Sequence, residues 1–276
     1  MTMKGEPTTP RPHPRNRGFE WSVRQGPFRI INEEQARSWN ERGYFLLREA
    51  FTPAEVSAVL ADIDPIEARV AEFLHTHPDR KVFIAEDGNI TFTVHPVTMS
   101  PRLREFCRHR VFCDLAHDLV GADVRLYWDQ AVYKKPERPR EFPWHQDNGY
   151  TYIEPQQYLT CWVALTDATL DNGCPWVAPG LHKSGTLEHW MTDAGWQCLA
   201  QDPADATPVE APAGSIVVFS SLTPHKTGPN RSASVRKSYI VQFAPVGAVA
   251  WIQGGDPQAQ EAPDRQFVVL QDDRPV

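Results

Sequence analysis

Long apolar runs are absent from this sequence: no stretch approaches the ~18 consecutive apolar residues that a membrane-spanning helix needs. The opening segment, Met1 to Gly18, carries no apolar block of the kind a secretory signal uses, so the expectation is a cytoplasmic protein without membrane partners. Positive charge is also in short supply. Lys and Arg number 28 against 35 Asp and Glu, a net charge of −7, and this balance lacks the basic footprint that draws nucleic acid. Cysteines are only five, Cys107, Cys113, Cys161, Cys174 and Cys198, with no C-x-x-C pair, which argues against a disulfide framework or a zinc ribbon. They read as small, reduced packing residues. Finally, no G-x-G-x-x-G, Walker or G-x-S-x-G string occurs, which leaves nucleotide binding and α/β-hydrolase chemistry unsupported.

What remains is ordinary globular composition, 41% hydrophobic and 23% charged over 276 residues. Residues 1–26 hold many prolines and charges with few apolar residues, and are expected to form a disordered tail. Residues 27–276 are expected to form a single domain, with a helical layer at about 32–120 and a β core at about 122–250. Helix signals begin after Asn32 and stop at Gly43. Thr52-Pro53-Ala54-Glu55 is a capping box with proline at the first helical position, opening a helix to about Leu74 with a break near Pro65. A further helical stretch spans about Ser100 to Val120. After Gly121, short runs rich in Val, Tyr, Trp and Phe alternate with turn clusters: Val124–Tyr133, Tyr158–Leu165, Trp176–Ala178, Ser215–Phe219 and Ser238–Phe243. Many short strands without alternating helices predict a mainly β fold with N-terminal helices, an antiparallel barrel or jelly roll. Thr186 to Pro212 reads as an insertion of the kind that covers a site.

The sharpest local feature is Phe142-Pro143-Trp144-His145-Gln146-Asp147. On a strand, residues two apart share a face, so His145 and Asp147 could offer an imidazole nitrogen and a carboxylate oxygen to one ion. His225, after the apolar run Ser215–Phe219, supplies a candidate second imidazole. Two imidazoles and one carboxylate compose the facial triad of non-haem iron oxygenases, which leaves coordination positions open. Arg236, eleven residues on, starts another apolar strand; a buried arginine fork suits a carboxylate, and a dicarboxylate cosubstrate would answer it. Each residue alone also has a plain reading, as a surface histidine or a solvated charge. His109, Cys113 and His117, at helical spacing, read as an amphipathic helix rather than a metal site.

Taken in order, several motifs resemble those of the phytanoyl-CoA dioxygenase family of Fe(II)- and 2-oxoglutarate-dependent oxygenases, from about Ile30 to Pro245. They are Gly43-Tyr44 with Thr52-Pro53-Ala54-Glu55-Val56; Trp144-His145-Gln146-Asp147; Trp162 through Thr169 with Asp171-Asn172-Gly173-Cys174; Pro179-Gly180-Leu181-His182-Lys183; and His225 through Ser232 ending at Arg236. The resemblance implies a double-stranded β-helix (jelly roll, cupin-like). It implies that His145, Asp147 and His225 are the catalytic iron ligands. Arg236 and Thr227 would hold the distal carboxylate of 2-oxoglutarate, Trp162 would border this cosubstrate, and Gln130 would lie near its other carboxylate. It implies oxygen as the second cosubstrate and an outcome of hydroxylation or another C–H oxidation, since halogenating relatives replace the carboxylate at the Asp147 position by a small residue.

The substrate expected is a small hydrophobic or amphipathic metabolite, with a tailoring step of specialised metabolism as one setting, in a pocket bordered by Trp128, Phe142, Trp144, Tyr150 and Trp176, with Tyr152 and Trp251 as further aromatic candidates. Lys134 and Lys135 read as rim residues. An alternative is an acyl-CoA 2-hydroxylase, against which stands Thr93, where the acyl-CoA-oxidising members place a basic residue. Other classes are a non-catalytic cupin-like metal- or ligand-binding module, which would not need both metal ligands and Arg236, and a zinc hydrolase, which would have no use for that arginine.

Overall fold

In a computed structural model, which describes residues 9–252 and 255–276, two antiparallel sheets carry the molecule. The larger runs in the order Tyr44–Leu47, Ile216–Ser220, Leu159–Ala164, Arg236–Pro245, Val124–Lys134 and Ile90–Val94, and continues into the short strands Ala85–Glu86 and Lys81–Val82. The smaller has Thr207–Pro208, Pro175–Val177, His225–Thr227 and Phe142–His145. Period-2 alternation assigns every residue of the large sheet to one of two faces. Tyr239, Val241 and Phe243, with Leu159, Cys161 and Val163, pack with the helices; Ile240, Trp162 and Ala164 share a second core with Phe142 and Val177 of the small sheet. The site lies between the sheets.

The helices start where their caps dictate. Asn32 and Thr52 each bond reciprocally with the residue three positions on, Gln35 and Glu55, opening helices Glu33–Arg42 and Pro53–Thr76. Gly43 ends the first in the left-handed conformation, donating its N–H to Ser38 and Trp39 carbonyls. The second runs through Pro65 without the expected break, because the packing of Ile63, Ile66 and Leu74 outweighs the single lost backbone bond. The stretch after Ser100 is two helices, Pro101–Phe106 and Arg110–Leu119, divided at His109, whose ring caps Val111. All five cysteines are free and buried. No helix among the described residues is long and apolar enough to cross a membrane.

The tail expected over residues 1–26 is corrected for residues 9–26; residues 1–8 lie outside the described residues. Pro12 bridges Leu187, the His13 N–H donates to the Thr186 carbonyl, and Asn16 donates to the carbonyls of Ser184 and Thr186. Trp21 packs against Trp39 and His182. Composition undercounts such a segment, because Trp21, Asn16 and several backbone groups find partners on the first helix and on the loop at 182–187.

Candidate active site

His145 closes the strand Phe142–His145 and sits directly opposite His225 in the neighbouring strand. Their ring centroids are 4.1 Å apart. Asp147 is not on that strand, as alternation had suggested; it begins the 3-10 turn Asp147–Gly149, which swings its carboxylate back to the imidazoles. One donor atom from each of the three lies within 4.8 Å of the others.

Hydrogen bonds fix which atoms are free. The Nδ1–H of His145 donates to the Pro143 carbonyl at 2.8 Å and that of His225 to the Thr223 carbonyl at 3.0 Å, so both Nε2 lone pairs face the centre. Thr160 donates its hydroxyl to Asp147 Oδ2 at 2.6 Å and in turn accepts from Gln242 Nε2. Burial lowers the pKa of His145 to about 3, with the neighbouring His225 adding to the effect, and burial lowers His225 to about 4. Burial also raises that of Asp147. Neutral imidazoles beside a carboxylate that burial disfavours make a donor set suited to a divalent first-row ion.

Two residues steady this loop. The Gln146 side chain, pointing away from the centre, donates to the carbonyls of Gly185 and Leu222 and accepts from the Leu187 N–H. The Gln146 backbone N–H, between the two metal-motif residues, donates to His189 Nε2 at 2.9 Å, while His189 Nδ1–H is held by the Leu187 carbonyl. His189 escaped the sequence reading because it lies in the aperiodic insertion, where nothing local distinguishes it.

Beside the triad is a pocket of positive charge. Arg236 is 1% exposed; its Nη1 donates to Ser238 Oγ at 2.7 Å, its Nε and Nη2 have no protein partner, and its guanidinium lies 5.0 Å from the Trp162 ring. Thr227 and Trp162 line the same cavity. Lys134, expected at the rim, is also 1% exposed and lies opposite Arg236 in the sheet register. Its ammonium donates to Thr227 Oγ1 at 2.9 Å and to the Thr227 carbonyl at 3.1 Å. Gln130 accepts from the Trp128 indole N–H at 3.2 Å, which leaves its own NH2 free to donate into the cavity.

The cavity, of about 580 Å³, reaches from Arg236, Thr227, Trp162 and Gln130, with Lys134 behind Thr227, to the end of helix Pro53–Thr76 and the hairpin at 81–86. Of the expected aromatic residues, Trp128, Phe142 and Tyr150 line it. Trp144 and Trp176 do not. They alternate with His145 and with Pro175 and Val177, so they take the other face of the small sheet, packed with Ala178, Leu187 and Leu199 and flanking Lys226 at 5.4 and 5.7 Å. Tyr152 stacks on His13, and Trp251 lies under Arg15. Phe73 and Phe83 at the mouth and Trp196 from the insertion line the cavity without having been expected. Thr93 points to the opposite face from its cavity-lining neighbours Phe92 and Val94, so its identity carries no argument about substrate.

Comparison with known proteins agrees with this arrangement. Residues 39–238 match the family model described as phytanoyl-CoA dioxygenase. The chain is 31% identical over 288 residues to mouse phytanoyl-CoA dioxygenase domain-containing protein 1, covering 87% of this chain and 98% of the relative. It is 27% identical over 176 residues to a phytanoyl-CoA dioxygenase of Arabidopsis thaliana, of which it covers 62%, and of this chain 62%. In fold it is similar to the epimerase SnoN, solved with Fe3+, alpha-ketoglutarate and nogalamycin RO, at a TM-score of 0.67 and 21% identity over 86% of this chain and 97% of that one. The chain belongs to the phytanoyl-CoA dioxygenase family and is a 2-oxoglutarate-dependent non-haem iron dioxygenase.

Proposed function

We propose that His145, Asp147 and His225 hold the iron, that Arg236 and Thr227 receive the distal carboxylate of 2-oxoglutarate, and that the enzyme hydroxylates an unactivated C–H of a small, uncharged, apolar molecule. When bound, the iron and 2-oxoglutarate supply the oxidising chemistry, with 2-oxoglutarate leaving as succinate and CO2. The protein's part is placement and exclusion. Thr160 orients the Asp147 carboxylate, the two backbone carbonyls orient the imidazoles, and the Gln130 amide is placed to donate to the carboxylate nearer the metal.

The observation that carries the substrate class is the charge inventory of the cavity. Once Asp147 and the histidines are assigned to the metal and Arg236 to the cosubstrate, every remaining lining side chain among the described residues is uncharged, and most are aliphatic or aromatic. Of the basic residues around the hairpin, Arg80 pairs with Asp87, Lys135 with Glu67 at 3.1 Å, and Arg138 and Arg140 with Glu86 at 3.8 and 3.5 Å, while Lys81 donates to the Asp193 carbonyl at 2.5 Å. Among the described residues of that hairpin, Lys81 is the one cation without an acidic partner, a poor match for the several phosphates of a CoA ester. An apolar molecule entering past Phe73 and Phe83 keeps its reacting carbon in a water-poor space beside the metal.

The test begins without substrate. Fe(II) and then 2-oxoglutarate are added anaerobically to metal-free protein, and the weak visible charge-transfer band of the chelate is recorded, with Asp147→Ala and Arg236→Ala as controls. The expected band is present in the wild type and lost or weakened in both variants; its absence from folded wild-type protein at saturating ligand overturns the assignment. A succinate-release screen then compares neutral apolar molecules with acyl-CoA esters. Stimulation by acyl-CoA alone would overturn the substrate class and favour the acyl-CoA hydroxylase.

A further inference from the structure

Lys134 is a poor residue for folding alone. It and Arg236 are cross-strand partners at the ends of Val124–Lys134 and Arg236–Pro245, both 1% exposed. Like charges placed directly opposite one another destabilise a sheet pair, and a buried cation without an anionic partner costs several kcal/mol, on the order of what a whole pair recovers. Neither cation forms an ion pair among the described residues. The Lys134 ammonium bonds only to Thr227, and Arg236 only to Ser238. Nonetheless the surroundings are built to hold the lysine. Gly173, at φ +85°, gives way to its stem: a Cβ there would stand 3.2 Å from Lys134 Cδ and would collide with the Gly228 carbonyl. Asn230 ties the Lys134 carbonyl at 2.8 Å.

The bond to Thr227 has a direction. A hydroxyl has one hydrogen and two acceptor positions, and an ammonium is a donor only. With Lys134 donating to it, Thr227 Oγ1 keeps its own hydrogen for another acceptor, in the cavity that also contains the unpartnered Nε and Nη2 of Arg236. We propose that Lys134 is a positioning residue of the cosubstrate site, which turns the Thr227 hydroxyl into a donor toward the distal carboxylate and adds a second positive charge to the pocket. This rests on the assignment of Arg236 and Thr227 to 2-oxoglutarate above. Burial, and after it the charge of Arg236, push the Lys134 pKa well down, and a carboxylate bound beside the two cations would offset both. The pair of cations thus makes the pocket select a carboxylate over a neutral group of the same shape.

The experiment uses the full chain with Lys134→Met, Lys134→Gln and Thr227→Val, alone and combined. Two readouts are taken: thermal unfolding of the metal-free protein, and anaerobic titration of the Fe(II)-loaded protein with 2-oxoglutarate, followed by its visible band. Lys134→Met is expected to unfold at or above the wild-type temperature in the absence of ligand, while its dissociation constant for 2-oxoglutarate rises about 10- to 100-fold, the value of one charge-assisted contact. Lys134→Gln, which keeps an N–H for Thr227 but no charge, is expected to fall between. Adding Lys134→Met to Thr227→Val should weaken binding by less than it does in the wild type. In turnover, KM for 2-oxoglutarate should rise while kcat stays within a few-fold. The proposal is overturned if both Lys134 variants bind 2-oxoglutarate within twofold of the wild type. It is also overturned if they lower the unfolding temperature or fail to fold, since the lysine would then belong to the framework. A wild type that gives no band would instead reject the underlying assignment.

Discussion

Replacing Gly149 with alanine tests whether the insertion braces the metal motif. Gly149 has an ordinary φ, so alanine meets no backbone strain, but its Cβ would lie inside the His189 ring. The ring cannot withdraw freely, because it is fixed at both nitrogens, by the Gln146 N–H and the Leu187 carbonyl. Overpacking a well-filled site costs about 1–3 kcal/mol, against which the lowered entropy of the unfolded chain returns about 0.4–1 kcal/mol. The net expectation is a loss of about 1–2 kcal/mol, a shift of about 2–4 °C per kcal/mol for a chain near this size. His189→Ala removes the ring and leaves the Gln146 N–H without its acceptor, at about 1–3 kcal/mol. In that background Gly149→Ala should become neutral or slightly stabilising. Denaturant unfolding of the two single variants and the double variant measures the coupling directly, expected at about 1–3 kcal/mol. Because the Gln146 N–H lies between His145 and Asp147, both single variants should also weaken iron binding in the anaerobic titration. A Gly149→Ala penalty that is the same with and without His189, within the ~0.5 kcal/mol of ordinary additivity, would refute the bracing.

Two further outcomes follow from particular contacts. Thr160→Val keeps the shape of the side chain and removes the hydroxyl that donates to Asp147 Oδ2; iron affinity should fall about 10- to 100-fold, measured by competition with a chelator, with little change in the unfolding of the metal-free protein. His182 is fully buried against Trp21 and beside Gly43, and burial depresses its pKa to about 4. The unfolded chain takes up this proton near pH 6.5 and the native chain only near 4, so the stability it contributes is present above pH 6.5 and is lost as pH falls toward 4. Between pH 7 and pH 5 the wild type should therefore lose about 2 kcal/mol more than His182→Leu, read from denaturant midpoints at the two pH values. Equal losses would show that His182 takes no part in acid sensitivity.

Much was legible locally. Capping boxes, the stop at Gly43 and the β runs are properties of a few neighbouring residues, and they reappear as the helices and strands described. The two histidines and the aspartate were proposed from their chemistry and spacing, and the fold brings their donor atoms together with Arg236 buried nearby. The route to Asp147 differed, since a turn rather than strand alternation brings it in. Trp144 and Trp176 were misplaced because an aromatic residue on a strand gives no sign of which face it takes until the register is set.

The chain itself, read residue by residue, determined which side chains are able to bind a metal, which charge suits a carboxylate, and where helices and strands begin. Tertiary structure alone decided which of those groups meet. Lys134 and Arg236 are about a hundred positions apart and become cross-strand partners only through sheet pairing. His189 reaches Gln146 only because the insertion folds back over the motif, and residues 9–26 meet their partners, Leu187, Thr186 and Trp39, only in the folded chain. The physical reason is the same in each case: propensity and ligand chemistry act within a few residues, whereas register, burial and charge pairing depend on which distant segments come to share an interior.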